Sequence, residues 1–417
     1  MSGRGPGSGR GPESRRSRTA PERVRKDGSG RAGRSSVPFY KASLGRGEVR
    51  EATSAILSGW LTTGPRVKEF EDRFRRLVGS RHAVAVNSCT AALHLALAAV
   101  GVRRGSEVIT SPYTFAATGE TILYLGARPV FADIDPVTLN VDPGAVRRAL
   151  TRLTRAIVPV HIGGLPCDME AIRDLVRGKR VPVVEDAAHA LGARIGGRPI
   201  GSLSEMTCFS FYATKNLTTG EGGMLTTDDG ARAERVRRLS LHGLTRDAWG
   251  RYARSGSWRY DVVEMGYKYN MTDVAAGLGL AQLRKFETMQ RRRRAIAERY
   301  RLHLRECGAF DLPSEPRDAR HAWHLYIVRL RPGRLRVGRD RLIELLRSRG
   351  IGTSVHFQPL HLLSFYRRTF GYRRGSFPNA ERESARAISL PLYPSLEAGE
   401  QDRVIEALLD VARRYGR

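Results

Sequence analysis

From residue 82 onward, short apolar runs alternate with helical stretches, and this alternation limits the fold more than any other feature. The stretch "HAVAVNSCTAALHLALAAVG" reads as a short strand, a turn at 87–89 and a helix. "SEVITSPYTFAATGETILYLGARPVFADID" reads as strand, turn, helix and strand. "RAIVPVHIGGLPCDMEAIRDLVRGKRVPVVEDAAHALGA" repeats the pattern. Strands that alternate with helices imply an α/β fold, with a mostly parallel central sheet flanked by helices on both faces. Ligands of such sheets bind beyond the carboxyl ends of the strands. On this reading Asn87, Ser88, Asp186 and the loop after Phe209 all lie just past a strand end.

The chain has 417 residues, too many for one compact core, so two domains with appendages are expected. A long helical stretch covers about 272–306 and contains "RRRR" at 291–294, which reads as a solvated face. Beyond it, "AWHLYIVRL" reads as a strand and "DRLIELLRSRG" as a helix, which suggests a smaller C-terminal α+β domain. The expected division is a large α/β domain at 37–290 and a small domain at 291–417. Residues 1–36 carry ten basic and three acidic residues, a net +7, with almost nothing apolar. Such a segment cannot bury a core and is expected to be a disordered basic tail.

The formal net charge is +29, which raises nucleic-acid binding as a reading. The arginines are scattered rather than striped, so a solvated compositional bias is the expectation and a nucleic-acid partner is not. Cys89, Cys167, Cys208 and Cys307 are far apart and form no CxxC pair. Neither a metal centre nor a disulfide framework is expected, which fits a reducing cytoplasm. No apolar run is long enough for a membrane span, and no secretory leader is expected.

Against that arginine bias, one lysine stands out. Of 71 basic residues only seven are lysine, at 26, 41, 68, 179, 215, 268 and 285. Lys215 lies in "SFYATKNLTTGEGG", between a strand-like segment and a Thr/Gly-rich turn. Arginine keeps its proton in proteins, whereas lysine can act as an amine nucleophile. Two other segments matter beside it. "NSCTAALHLAL" places small polar residues at a helix start, where free N–H groups and the helix dipole favour phosphate. "VPVVEDAAHALG" ends a buried strand with Glu185 and Asp186. Each alone has an ordinary explanation: a solvated lysine, an N-cap, a capping carboxylate. Together they fit pyridoxal 5′-phosphate (PLP), which needs an amine for a Schiff base, an acid facing the pyridine nitrogen and a phosphate cradle.

The chain resembles the DegT/DnrJ/EryC1/StrS family of sugar aminotransferases, within the fold type I PLP-dependent transferases. The matching stretches are "SGWLTTGPRVKEFE" at 58–71, "NSCTAALHLAL" at 87–97, "PVHIGGLPCDM" at 159–169, "VVEDAAHALGA" at 183–193, "FSFYATKNLTTGEGGMLTTDD" at 209–229, "GYKYNMTDVAAGLGLAQL" at 266–283 and "VHFQPLH" at 355–361. The resemblance implies that Lys215 is the Schiff-base residue and that Asp186 faces the pyridine nitrogen. It implies that His189 lies near the ring hydroxyl, that Phe115 stacks on the cofactor face, and that Thr90, Ala91 and Ser210 hold the phosphate. Lys268 and Asn270, in "GYKYN", are implied to reach the neighbouring subunit's site, so that the active unit is a homodimer with shared sites. Relatives often carry "GYNYR" here, and often have Gly where this chain has Cys89. A branch of dehydratases replaces the lysine with histidine, so the presence of Lys215 points to a transaminase.

Family members aminate keto sugars carried on a nucleotide diphosphate, with glutamate or glutamine as donor. The stretch "LHGLTRDAWGRYARSGSWRYDVVEMGYKYN" most resembles members that act at C4. Amination at C3, or of a keto-cyclitol, is the alternative. Outside enzymology, a regulatory or nucleic-acid-binding relative and a degenerate scaffold subunit are the rival readings. Neither needs the complete cofactor set.

Overall fold

The computed structural model describes residues 36–245 and 259–417. These belong to a single unit, Ser36–Arg417. The basic tail expected at 1–36 lies outside the described residues except for Ser36. So does the middle of the stretch that resembles the C4-acting members.

Two helices, α1 (Arg46–Leu57) and α2 (Pro65–Val78), lead into the sheet. Then come β1 (His82–Val86), α3 (Cys89–Ala99), β2 (Glu107–Thr110), α4 (Ala116–Tyr124) and β3 (Arg128–Phe131). They are followed by α5 (Pro143–Ala149), β4 (Thr154–Val158), α6 (Met169–Val176) and β5 (Val184–Asp186). A short hairpin of β6 (Arg194–Ile195) and β7 (Arg198–Pro199) precedes β8 (Met206–Ser210), β9 (Gly223–Thr227) and α7 (Gly230–Leu239). The strands run in two ladders, β1-β9-β8-β5 and β3-β2-β4. Parallel bridges Ile157↔Val183 and Val160↔Asp186 join β4 to β5. The joined order is therefore β1-β9-β8-β5-β4-β2-β3, parallel throughout except for β9, which is antiparallel to both neighbours. The expected α/β architecture with a mostly parallel sheet is the one observed.

Alternation along each strand sorts its residues between two apolar layers. Ala83, Ala85, Ile109, Ile157, Phe209 and Met224 face one core, shared with α2 and α6. Val84, Val86, Val108, Ala156, Cys208 and Leu225 face the other, shared with α3 and α7. Both faces are therefore buried, and the strand ends are the places where polar groups can meet a ligand.

A long helix, Asp273–Leu304, follows. Its Ala276, Leu280, Phe286 and Met289 pack on the first of those cores. Ile296, Tyr300 and Leu304 belong to a different core, built with Val404, Leu408 and Val411 of the helix Ala398–Tyr415. An antiparallel sheet of Phe310–Asp311, Tyr326–Leu330 and Ala387–Leu390 completes that second region. The division expected at 290/291 lies within the helix Asp273–Leu304.

The same stretch corrects the reading of "RRRR" as a solvated face. Arg291 and Arg292 are exposed, but Arg293 is buried. Its Nη1 donates to the carbonyls of Trp323, His324 and Leu392 at 3.2, 3.5 and 3.1 Å. Burial pulls its guanidinium down to about 10. One position in the run turns inward because helix geometry gives successive residues different directions. A planar fork of donors suits a cluster of carbonyls that have no strand partner.

Candidate active site

The carboxyl ends of β5 and β8 and the amino end of α3 surround a cavity of about 480 Å³. Thr90, Phe115, Asp186, His189, Ser210 and Lys215 all lie on its wall. Ala91 does not. It is buried within α3, and its N–H donates to the Ser88 hydroxyl at 3.1 Å. Lys268 and Asn270 also lie off this wall. Asn270 bridges antiparallel to Val86, and its Nδ2 donates to Thr63 Oγ1 at 2.8 Å. Lys268 is exposed and gives its Nζ to Asn270 Oδ1.

Asp186 is the last residue of β5 and is 5 % exposed. Its Oδ2 accepts from Thr118 Oγ1 at 2.7 Å, and its Oδ1 accepts from the Ala188 N–H at 3.1 Å. Thr118 in turn meets Thr114 Oγ1 at 2.8 Å. Burial pushes the carboxyl pKa up, while these donors and the ammonium of Lys215 hold it down. Lys215 is half-buried on the same cavity, and desolvation pulls it down to about 8 despite the opposing charge of Asp186. A lysine so placed is largely an ammonium at neutral pH but is within reach of its nucleophilic form. We expect PLP added to the apo chain to couple to Lys215 at a rate that climbs about tenfold per pH unit up to about pH 8, then levels off. Stopped-flow absorbance would show this. A rate flat from pH 6 to 9 would mean that another group limits capture.

The amino end of α3 opens on the same cavity. The Ser88 hydroxyl caps the Ala91 N–H, which leaves the first N–H groups, on Cys89 and Thr90, without intrahelical acceptors. Both residues line the cavity. The glycine-rich turn after Lys215 presses against this helix start. A Cβ on Gly223 would stand 2.4 Å from the Ser88 carbonyl oxygen, so only glycine permits the approach. The helix dipole, the free N–H groups and the Ser210 hydroxyl are groups suited to an anion, and Lys215 and Asp186 lie on the same cavity. The donor set therefore fits PLP.

Several wall residues escaped the sequence reading: Thr118, His324, His356 and Phe357. Thr118 ends "PYTFAAT", and His356 and Phe357 lie in "VHFQPLH", stretches whose residue types alone assign these three no role. His324, in "AWHLYIVRL", carried only a strand signal. A larger cleft of about 550 Å³ lies elsewhere, between α6 and the β6–β7 hairpin. Its lysine, Lys179, is exposed and gives its Nζ to the Leu175 carbonyl at 2.8 Å, so that cleft lacks the amine and acid pairing seen here.

A model of the DegT/DnrJ/EryC1/StrS aminotransferase family matches residues 43–409. This chain belongs to that family. It is 50 % identical over 378 residues to the spore coat polysaccharide biosynthesis protein SpsC of Bacillus subtilis, covering 90 % of this chain and 97 % of SpsC. The PLP form of the putative sugar aminotransferase Spr1654 from Streptococcus pneumoniae superimposes with a TM-score of 0.85 at 34 % identity, covering 91 % of this chain and 99 % of that one. S. venezuelae DesV superimposes with a TM-score of 0.83, also at 34 % identity, over 91 % of this chain and 100 % of DesV. The fold is that of the fold type I aminotransferases, and the chain is an enzyme of this class rather than a regulator or scaffold. Among the described residues, no helix is long and apolar enough to cross a membrane.

Proposed function

We propose that this sugar aminotransferase moves an amino group from glutamate or glutamine to a nucleotide-linked keto sugar, at C4. The observation that carries the reading is the meeting of Lys215, Asp186 and the α3 amino end on one cavity. Its cofactor is PLP, which supplies an aldehyde that captures amines and a ring that takes up the electrons of a broken C–H bond. Lys215 holds the cofactor through Nζ. When free, the same Nζ would carry the proton of the 1,3-shift, between the two carbon atoms that flank the transferred nitrogen. Asp186, held by Thr118 and Ala188, keeps a negative charge facing the pyridine nitrogen. The N–H groups of Cys89 and Thr90 and the Ser210 hydroxyl bind phosphate, and Phe115 and His189 enclose the ring. The C4 position is supported by the resemblance of the stretch before "GYKYN". The four free thiols suit a reducing cytoplasm. Incubation with glutamate and a panel of nucleotide-linked keto sugars, with products identified by mass and NMR, tests this. Amination only at C3, or only of a keto-cyclitol, would replace the C4 reading.

Lys268 and Asn270 lie off their own chain's cavity, which suits a role in a partner's site. We expect an inactive Lys215→Ala subunit, mixed with one disabled at both Lys268 and Asn270, to regain activity. In a mixed dimer one site inherits both lesions and the other neither, so turnover approaches about half the wild-type value as heterodimers form. Confirmed subunit exchange without activity would mean that the loop does not act in trans.

A further inference from the structure

Two imidazoles on the cavity wall show opposite polarity. His189 and His324 lie with ring centroids 4.5 Å apart. His189 Nδ1 accepts the Gly163 N–H at 3.3 Å, so its own proton sits on Nε2. His324 is held the other way by a buried amide relay. Gln290 Nε2 donates to the Ala322 carbonyl at 3.2 Å, which turns Gln290 Oε1 towards Asn216. Asn216 Nδ2 donates to that Oε1 at 3.1 Å and to the Ala322 carbonyl at 2.8 Å. Asn216 Oδ1 is thereby left facing His324 Nδ1 at 3.2 Å. A carbonyl oxygen only accepts, so the proton of His324 is on Nδ1.

Burial and the neighbouring cationic groups push both rings well below the usual histidine range, so neither carries a second proton. His324 Nε2 is then a bare acceptor with no hydrogen bond among the described residues. Asn216 stands off the cavity wall, so the ring edge opposite Nδ1 is the one turned to the cavity. Arg293 holds the His324 carbonyl from behind, which fixes the backbone as well.

We infer that His324, oriented by Asn216, is a specificity residue whose Nε2 accepts a hydrogen bond from a hydroxyl of the keto sugar. This rests on the sugar-aminotransferase reading above. The surroundings favour a hydroxyl over the ammonium of the amino donor. A cation here would sit near the positive charge of Lys215, whereas a hydroxyl is neutral. Phe357, on the same wall, stacks on His189 with ring centroids 5.8 Å apart. An apolar ring face beside an oriented acceptor suits the C–H face and one O–H of a sugar ring.

The test compares a nucleotide-linked keto sugar that the wild-type enzyme aminates with analogues that each lack one hydroxyl. Wild type should lose about tenfold in kcat/KM for one of these analogues, the scale of one neutral hydrogen bond. His324→Asn keeps an amide near the Nδ1 position and removes the cavity-facing nitrogen. In that variant the ratio between sugar and analogue should fall to about one. Because the ratio is taken within each variant, general damage to the enzyme cancels. A ratio unchanged from wild type overturns the assignment. A wild-type enzyme that aminates no sugar of the panel overturns the functional reading and this one together, so the two failures are distinguishable. A second arm does not depend on the variant folding. Nitrogen NMR of the [15N]histidine-labelled holoenzyme should show His324 with a protonated Nδ1 and a bare Nε2, and a protonated Nε2 overturns the proposal.

Discussion

Lys215→Arg should lower turnover on the order of 10⁶-fold, the scale seen when a covalent nucleophile is removed. The substitution keeps a positive charge opposite Asp186, so ground-state electrostatics change little. What disappears is the ability to shed a proton at a pH the cell can reach. Lys215 sits at about 8, whereas a guanidinium stays charged far above that range. Borohydride reduction of the wild-type holoenzyme, followed by peptide mapping, should place the cofactor label on the peptide containing 210–223. A label on any other lysine would sink the assignment. Retention of even a hundredth of wild-type turnover by Lys215→Arg would do the same.

Asp186→Asn should cost about 10²- to 10³-fold in kcat, the usual loss when one preorganised electrostatic partner is removed. The amide has the shape of the carboxyl and can still accept from Thr118. It keeps the volume but gives up one acceptor, so the Ala188 N–H loses its partner along with the charge. PLP should remain bound, through Lys215 and the α3 amino end. Its ring nitrogen would lose the anion that keeps it protonated. The pH profile gives an independent sign. Because burial raises the Asp186 pKa, its carboxylate, and the turnover that depends on it, should fade as pH drops through that raised value. Asp186→Asn should lack this acid limb. Near-normal turnover in Asp186→Asn, or an unchanged acid limb, would show that another group faces the ring.

The expected residues that do meet on the cavity share one property: their place follows from local order along the chain. Asp186 follows a buried strand, Lys215 follows another, and Thr90 opens a helix. Strand ends converge in any parallel sheet of this kind. Ala91 was expected beside Thr90, but the Ser88 cap takes its N–H, a choice set by cap geometry that residue types alone do not reveal. Arg293 was read as solvated because three arginines surround it. It is buried because the helix crosses from one core to another at that point.

The alternation of strands and helices indicates an α/β fold, and a rare lysine, a strand-end carboxylate and a polar helix start, taken together with the family motifs, indicate a PLP enzyme. Those are local or additive properties, carried by neighbours within a few residues. The orientation of the working groups is of another kind. Thr118 reaches Asp186 across 68 residues of chain, and Asn216 reaches His324 across 108. Which nitrogen of His324 carries a proton depends on Gln290 and the Ala322 carbonyl, on elements that no period or motif ties together. A hydrogen bond is decided by distance and angle to within fractions of an ångström, and only the packed tertiary structure sets those.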